Sequence, residues 1–339
     1  MGIRLTASAS ENTVTYTRNV FIPLTNLCRN ACAYCGFRGS PDDGWWLMSP
    51  EEVMDLVRRG REAGCVEALI TLGEMPEVYP QVRDRLQNFG FRSMTDYIVY
   101  LSRRILGEGL LPHINPGVLG RSQLAKLRRF SASMGLMLES IARLPAHEMS
   151  PGKHPSLRLR MMEDAGREGI PFTTGLLVGI GETRNDRLMS LLAIREIHER
   201  FGHIQEVIIQ PFAPKPGTPM AENPPPPFPD VMEVVKMARE ILPDVGVQIP
   251  PNLVDDVCTF LSAGANDLGG ISSLTPDFIN PEKPWPPIES LRERVKGAGF
   301  FPRERLPIYP RFTMDPKFMS CEVRRVVSEL ADEEGYRRI

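Results

Sequence analysis

Neither sign of charge dominates this chain: 40 Lys and Arg stand against 42 Asp and Glu, a formal net charge of −2. The electrostatic footprint of a nucleic-acid-binding protein is missing, and that partner class is set aside. Long apolar runs are missing too. No stretch approaches the roughly 18–20 residues that span a bilayer, so no membrane partner is expected. The N-terminus has no basic region followed by an apolar one, so no secretory signal is read. Met1-Gly2-Ile3-Arg4-Leu5-Thr6 fits the loose myristoylation pattern, but nothing polybasic follows to make a second anchor. Cysteine is scarce, six in 339 residues. That is too few for a disulfide scaffold and suits a reducing cytoplasm.

Half of those cysteines sit together. Cys28, Cys32 and Cys35 fall within eight residues in the spacing C-x3-C-x2-C, with Tyr34 just before the last. Thiolates are soft donors, suited to iron–sulfur clusters, zinc or copper(I). The next Cys is Cys65 and the first His is His113, so no fourth ligand is near. A structural zinc site wants four closed ligands. Three thiols on a tetranuclear cluster leave one position free, and a free position is a place for chemistry. A zinc knuckle completed from afar, or three thiols without metal, stay open as alternatives. Cys65, Cys258 and Cys321 stand alone and read as small buried apolar residues.

With 42% hydrophobic and 24% charged residues, the chain can build one large core. Residues 1–18 read as an irregular arm, and residues 19–24 as a short apolar strand leading into the cysteine loop. Ser49-Pro50-Glu51-Glu52 opens a helix with a capping box. Residues 66–71 form a near-continuously apolar strand, as in parallel sheets covered on both faces. Helices near 94–108, 121–130, 156–168, 185–200, 229–241 and 254–263 then alternate with strands at 113–115, 134–138, 172–178, 204–212, 246–249 and 268–271. Last helices fall near 287–298 and 316–331.

Such repeated units imply parallel strands with right-handed crossovers. The expected fold is α/β, a (β/α)8 TIM-like barrel, with an open partial barrel as the alternative. The barrel spans 19–300, and 301–339 form a C-terminal extension packed on it. In such a barrel the active site lies at the carboxyl ends of the strands. There the sequence places the cysteine loop, Leu72-Gly73-Glu74, Glu139-Ser140, Gly179-Ile180-Gly181-Glu182 and Gln210-Pro211-Phe212. Glu139 ends an apolar strand, where a carboxylate needs a polar or cationic partner. Either a ligand or a structural ion pair would meet that need.

The cysteine motif resembles that of the radical S-adenosylmethionine (SAM) enzymes. The resemblance implies a [4Fe-4S] cluster on Cys28, Cys32 and Cys35, with SAM chelating the fourth iron. The reduced cluster would pass one electron to SAM, releasing methionine and a 5′-deoxyadenosyl radical, so a one-electron reductant is needed. Gly73-Glu74 resembles the family's Gly-Gly-Glu motif, which receives the methionine ammonium, although Leu72 replaces the first Gly. By position Arg158 matches the arginine that pairs with the methionine carboxylate, with Arg160 as its competitor. Glu139 would meet the ribose or the ammonium. Residues 175–182 match G-x-I-x-G-x-x-E with Leu177 for Ile, which puts Gly179 near adenine. Tyr34 would offer adenine its ring, and Gln210 would line the same site.

Residues 19–37, 171–183, 210–220, 266–286 and 306–312 are similar to one subgroup, the 7,8-didemethyl-8-hydroxy-5-deazariboflavin synthases. Phe172 to Gly179 and Gly269-Gly270-Ile271-Ser272 carry most of the likeness, while Leu268 stands where Trp is expected. The likeness implies an ammonia-releasing lyase of coenzyme F-420 biosynthesis. Its small-molecule substrate would be the 4-hydroxybenzyl adduct of 5-amino-6-(D-ribitylamino)uracil. Asn266, Asp267, Ser272 and Ser273 are candidates for holding the ribityl chain. Some relatives carry two cysteine motifs on one chain. This chain has one, so a separate second radical SAM subunit is expected to supply the adduct. Another radical SAM enzyme of the same shape, such as that partner subunit or a menaquinone-pathway relative, stays open. So does a non-enzymatic metal scaffold.

Overall fold

The computed structural model describes residues 12–338. The acylation pattern at 1–6 and most of the expected arm lie outside the described residues. Strands β1 (Thr13–Thr25), β2 (Glu67–Leu72), β3 (Leu111–Asn115), β4 (Ser133–Gly135) and β5 (Phe172–Val178) are followed by β6 (Ile204–Pro211), β7 (Gly246–Gln248), β8 (Asp267–Ile271) and β9 (Phe301–Glu304). They join in the order β2-β3-β4-β5-β6-β7-β8-β1-β9, and β1 also pairs with β2. That last pairing closes an eight-stranded barrel, every neighbouring pair of which is parallel. The open alternative is thereby excluded. Among the described residues, no helix is long and apolar enough to cross a membrane.

The period of two along each strand sorts its side chains. On β1, Val20, Ile22 and Leu24 point outward into the helix layer and are fully buried. Thr17, Asn19 and Phe21 point inward and line the lumen. The helix Pro50–Glu62 starts on the expected capping box: Ser49 Oγ accepts from the Glu52 N–H at 3.3 Å, and Glu52 Oε2 accepts from the Ser49 N–H at 2.7 Å.

Four features depart from the sequence reading. First, β1 begins at Thr13 rather than Asn19, because Thr13–Tyr16 pair with β9. The mixed tetrapeptide Phe301-Pro302-Arg303-Glu304 carries no alternation that would announce that strand. Second, β4 is short, and residues 136–138 leave the ladder before Glu139 bridges to Leu176. Third, the helix Pro80–Asn88 went unread, since it buries only Val82 and Leu86. Fourth, Cys321 is exposed and Cys258 half-buried, whereas both were expected to be buried.

The segment after β9 runs beneath the barrel and shuts its lower mouth. Arg305 and Pro307 line the lumen from below. The Pro307 carbonyl accepts from Ser133 Oγ at 2.7 Å and Gln205 Nε2 at 3.0 Å. Beyond it Leu306, Ile308, Phe312, Val323 and Val326 share a second apolar cluster with Leu106 and Leu111.

Candidate active site

Two neighbours brace the cysteine loop. The Glu74 carbonyl accepts from the Arg29 N–H at 2.9 Å. The segment before the helix Pro155–Arg167 supplies three more contacts. The Met149 carbonyl accepts from the Ala31 N–H at 3.0 Å, the Ala146 carbonyl accepts from the Ala33 N–H at 2.9 Å, and the Gly152 N–H donates to Asn30 Oδ1 at 2.8 Å. Donors are aimed at the sulfurs as well. Cys28 Sγ accepts from the N–H groups of Glu74 at 3.1 Å and Asn30 at 3.4 Å, and Cys32 Sγ from Ser150 Oγ at 3.3 Å. Burial pushes the Cys28 thiol up, so it ionises when a metal claims it. N–H and O–H donors to ligand sulfur are the contacts that set an iron–sulfur cluster's electronics. Among the described residues, no three or more His, Cys, Asp or Glu side chains gather as around a single metal ion. On a tetranuclear cluster three cysteines bind three different irons and need not converge on one point. Three thiols with N–H and O–H donors aimed at two of their sulfurs fit such a cluster.

Gly73 is where the loop after β2 meets the loop after β1. A Cβ there would lie 2.0 Å from the Leu27 carbonyl oxygen. No such constraint falls on Leu72, which ends β2 as a buried residue, so the departure from Gly-Gly-Glu leaves this packing intact. The Glu74 carboxylate is already occupied. It accepts from Arg29 Nε and Nη2 at 2.8 and 2.7 Å and from the Val118 N–H at 3.1 Å, and lies 3.6 Å from Arg158 Nη2. Arg158 is 3% exposed, whereas Arg160 faces solvent. The Arg158 guanidinium donates to the carbonyls of Gly152 and Met137.

Glu139 is buried and holds a left-handed backbone, φ 66°, rare for a residue with a Cβ. Its partner is Lys153, through a close ion pair. Burial pushes the carboxyl up, but Lys153 and then Arg158 outweigh it and hold the group below its ordinary value. The Tyr34 hydroxyl lies 2.9 Å from His147 Nε2, the two rings meet edge-on, and the Lys153 ammonium sits 5.9 Å from the tyrosine ring centre. Burial brings the His147 pKa down to about 4, so that imidazole is neutral.

A cavity of ≈ 380 Å3 runs from this loop down the lumen and is lined by all three cysteines, Tyr34, Gly73, Glu74, Glu139, Arg158 and Gln210. Gly179 is not brought to it. Its N–H donates to Glu182 Oε1 at 2.8 Å, and its Cα faces Pro226. The four residues expected to hold a ribityl chain are also outside the lining. Asp267 is bound to Arg305 and Thr15, the Asn266 carboxamide accepts from the Val247 N–H, Ser272 caps Leu274 and Thr275, and Ser273 is exposed. His113 has a partner at each ring nitrogen, Ser133 Oγ and Asn115 Oδ1.

Sequence reasoning missed Lys153, His147 and Lys215. Lys215 Nζ donates to Asn280 Oδ1 at 2.8 Å within the lining, and burial lowers its pKa. His147 and Lys153 end single 3-10 turns and Lys215 lies on a loop, and none of these segments shows a sequence period. The one signal that could have pointed to Lys153 was the need of Glu139 for a cation.

A radical SAM superfamily profile matches residues 22–194. The 7,8-didemethyl-8-hydroxy-5-deazariboflavin synthase of Archaeoglobus fulgidus is 52% identical over 327 residues, 96% of this chain and 99% of that one. The protein of the same name from Methanopyrus kandleri is 48% identical over 334 residues, covering 96% and 100%. The crystal structure of methylornithine synthase superposes with a TM-score of 0.67 at 21% identity over 86% of this chain and 84% of its own, a likeness of fold alone. The chain belongs to the radical SAM superfamily and, within it, to the family of the 7,8-didemethyl-8-hydroxy-5-deazariboflavin synthases.

Proposed function

We propose that this chain closes the deazaflavin ring. It would convert the 4-hydroxybenzyl adduct of 5-amino-6-(D-ribitylamino)uracil to 7,8-didemethyl-8-hydroxy-5-deazariboflavin, releasing ammonia, methionine and 5′-deoxyadenosine. The observation that carries this reading is the near full-length likeness to synthases of that name. Cys28, Cys32 and Cys35 would hold the cluster, which together with SAM would supply one-electron chemistry when bound.

The chain's own residues bind, orient and exclude water. Arg158 and the loop at Gly73 and Glu74 bound the cysteine mouth, where an amino-acid zwitterion would be held. There the Glu74 carboxylate positions Arg29 and Arg158 rather than meeting a ligand ammonium alone. Glu139 and Lys153 form a buried charged pair that can donate and accept beside a ribose. Tyr34 and Gln210 offer an aromatic edge and an amide to a nucleobase. Asn280 and Trp285, on the segment after β8, line the cavity from the mouth side, which favours exclusion of water from a reactive intermediate.

The single cysteine motif supports a separate second radical SAM subunit that joins tyrosine to the diaminouracil. All six cysteines are free, which supports a reducing cytoplasm as the setting. The test supplies anaerobically loaded protein, SAM and reductant with either the purified adduct or tyrosine plus the diaminouracil. Deazaflavin fluorescence is expected only from the adduct. Product from tyrosine and the diaminouracil would overturn the need for a partner, and none from the adduct would overturn the reaction.

A further inference from the structure

The lumen changes character with depth. Below the charged groups at the cysteine mouth the lumen has an apolar belt, with Phe21, Leu177 and Ile208 lining it. One or two inward positions lower on the same strands stand Asn19, Thr173 and Glu206, and Glu67 occupies that level on β2. Barrel interiors are ordinarily filled by branched apolar side chains, so a polar floor beneath an apolar belt is a built feature.

Most of this floor is already satisfied. Arg305 binds Asp267 through two contacts, 2.6 and 2.8 Å, and Glu206 at 3.1 Å. Thr173 Oγ1 donates to Glu206 at 2.9 Å. Two groups are not. Asn19 is 1% exposed, and neither its amide nitrogen nor its amide oxygen has a hydrogen-bond partner. Glu67, paired with it in register across β1 and β2, is 5% exposed and has no cation within ion-pair distance among the described residues. A buried amide without partners is unfavourable unless a ligand completes it. The backbone is shaped around these side chains. A Cβ on Gly270 would lie 2.3 Å from Asn19 Nδ2, and one on Gly269, at φ +71°, 2.2 Å from Gln248 Nε2. That is a physical reason for two successive glycines in β8.

We propose that Asn19, Glu67 and Gln248 form the floor subsite that takes the polyol chain of the substrate, with the aromatic end held in the apolar belt above. Resting on the reaction proposed above, the inference adds the orientation of the substrate and the residues that select its ribityl tail. Asn19 and Gln248 each supply a donor and an acceptor, and Glu67 an acceptor or, when protonated, a donor. Adjacent hydroxyls need such a mixed set. It replaces Asn266, Asp267, Ser272 and Ser273 in that role.

The test reads equilibrium binding to cluster-loaded protein with SAM and no reductant. The ligands are the hydroxybenzyl–ribityl adduct and an analogue whose ribityl chain is replaced by ethyl. Wild-type protein is expected to prefer the adduct by about tenfold or more. Asn19→Leu and Glu67→Leu should bring that preference toward unity by weakening adduct binding alone. Glu67→Leu nearly conserves volume while removing both carboxylate oxygens, and it serves if Asn19→Leu fails to fold against Gly270. Equal losses on both ligands, or an unchanged preference in the variants, overturn the subsite. Wild-type binding without preference overturns it too and leaves the reaction standing. A wild-type protein that binds neither ligand overturns the reaction and the subsite together.

Discussion

The main-chain N–H of Glu74 donates to the sulfur of Cys28 at 3.1 Å, joining the loop after the second strand to the loop after the first. The same residue's carboxylate holds Arg29, the Val118 N–H and Arg158. One residue thus fixes a cluster ligand through its backbone and two cations through its side chain. Glu74→Ala keeps the first role and loses the second, leaving two guanidinium groups with reduced compensation. A loss of about 3–5 kcal/mol is expected, with iron and sulfide content retained, and Glu74→Gln should lose less. A thermal midpoint within about one degree of wild type for Glu74→Ala would contradict this assignment.

Glu139 and Lys153 form the second buried pair, and its pH dependence has a definite sign. The carboxyl is held below its ordinary value of 4.5 in the fold. Its stabilising contribution is therefore present above pH 4.5 and is lost as pH falls through the lower folded value. Glu139→Gln should cost about 3–5 kcal/mol near neutrality, because Lys153 is left unpaired. The difference from wild type should shrink below pH 4.5. Matched urea midpoints at the two pH values check this, and a constant difference would refute it.

Glu67 behaves in the opposite sense. Burial lifts its carboxyl from 4.5 to about 7, with Arg305 opposing and Asp267 adding to the rise. A raised carboxyl contributes stability that is complete below the unfolded value and lost as pH rises through about 7. Glu67→Gln should be near neutral at pH 5 and, by removing a buried charge, more stable than wild type at pH 8 by about 1–3 kcal/mol. A variant less stable than wild type at pH 8 would contradict that reading.

Arg305 locks the lower mouth through Asp267 and Glu206. Arg305→Met leaves two buried carboxyls without their cation and should cost about 3–5 kcal/mol. Restoring neutrality with Asp267→Asn in the same chain should recover part of it. A strictly additive double-mutant cycle would show that the two residues do not interact.

How far the sequence spoke depended on whether a residue's role was local. The fifth strand was read at its observed bounds, because Phe172 to Val178 joins β-prone Phe, Thr and Val residues to the apolar end Leu176-Leu177-Val178, and the whole strand is buried. The three cysteines announced themselves by spacing, and Glu139 by its place at the end of an apolar stretch. What stayed hidden was long-range. Lys153 and His147 reach Glu139 and Tyr34 from a segment with neither helical nor strand period. The floor of the lumen depends on Arg305, which reaches Glu206 from 99 residues away in the chain. Asn266 and Asp267 looked like ligand groups in a list of polar residues, yet a one-residue change of strand face and one buried arginine assign both to structure.

A cluster iron that the polypeptide leaves for SAM is the centre of the proposed chemistry, and the most direct measurement looks at that iron. Anaerobically reconstituted protein is analysed for metal and sulfide, and its reduced cluster is followed by electron paramagnetic resonance with SAM labelled at the amine nitrogen. The expected result is a tetranuclear cluster whose signal changes and couples to the label, and its loss in a folded Cys32→Ala variant. A lone zinc ion, or a fourth side chain on the cluster with no response to SAM, would contradict the account.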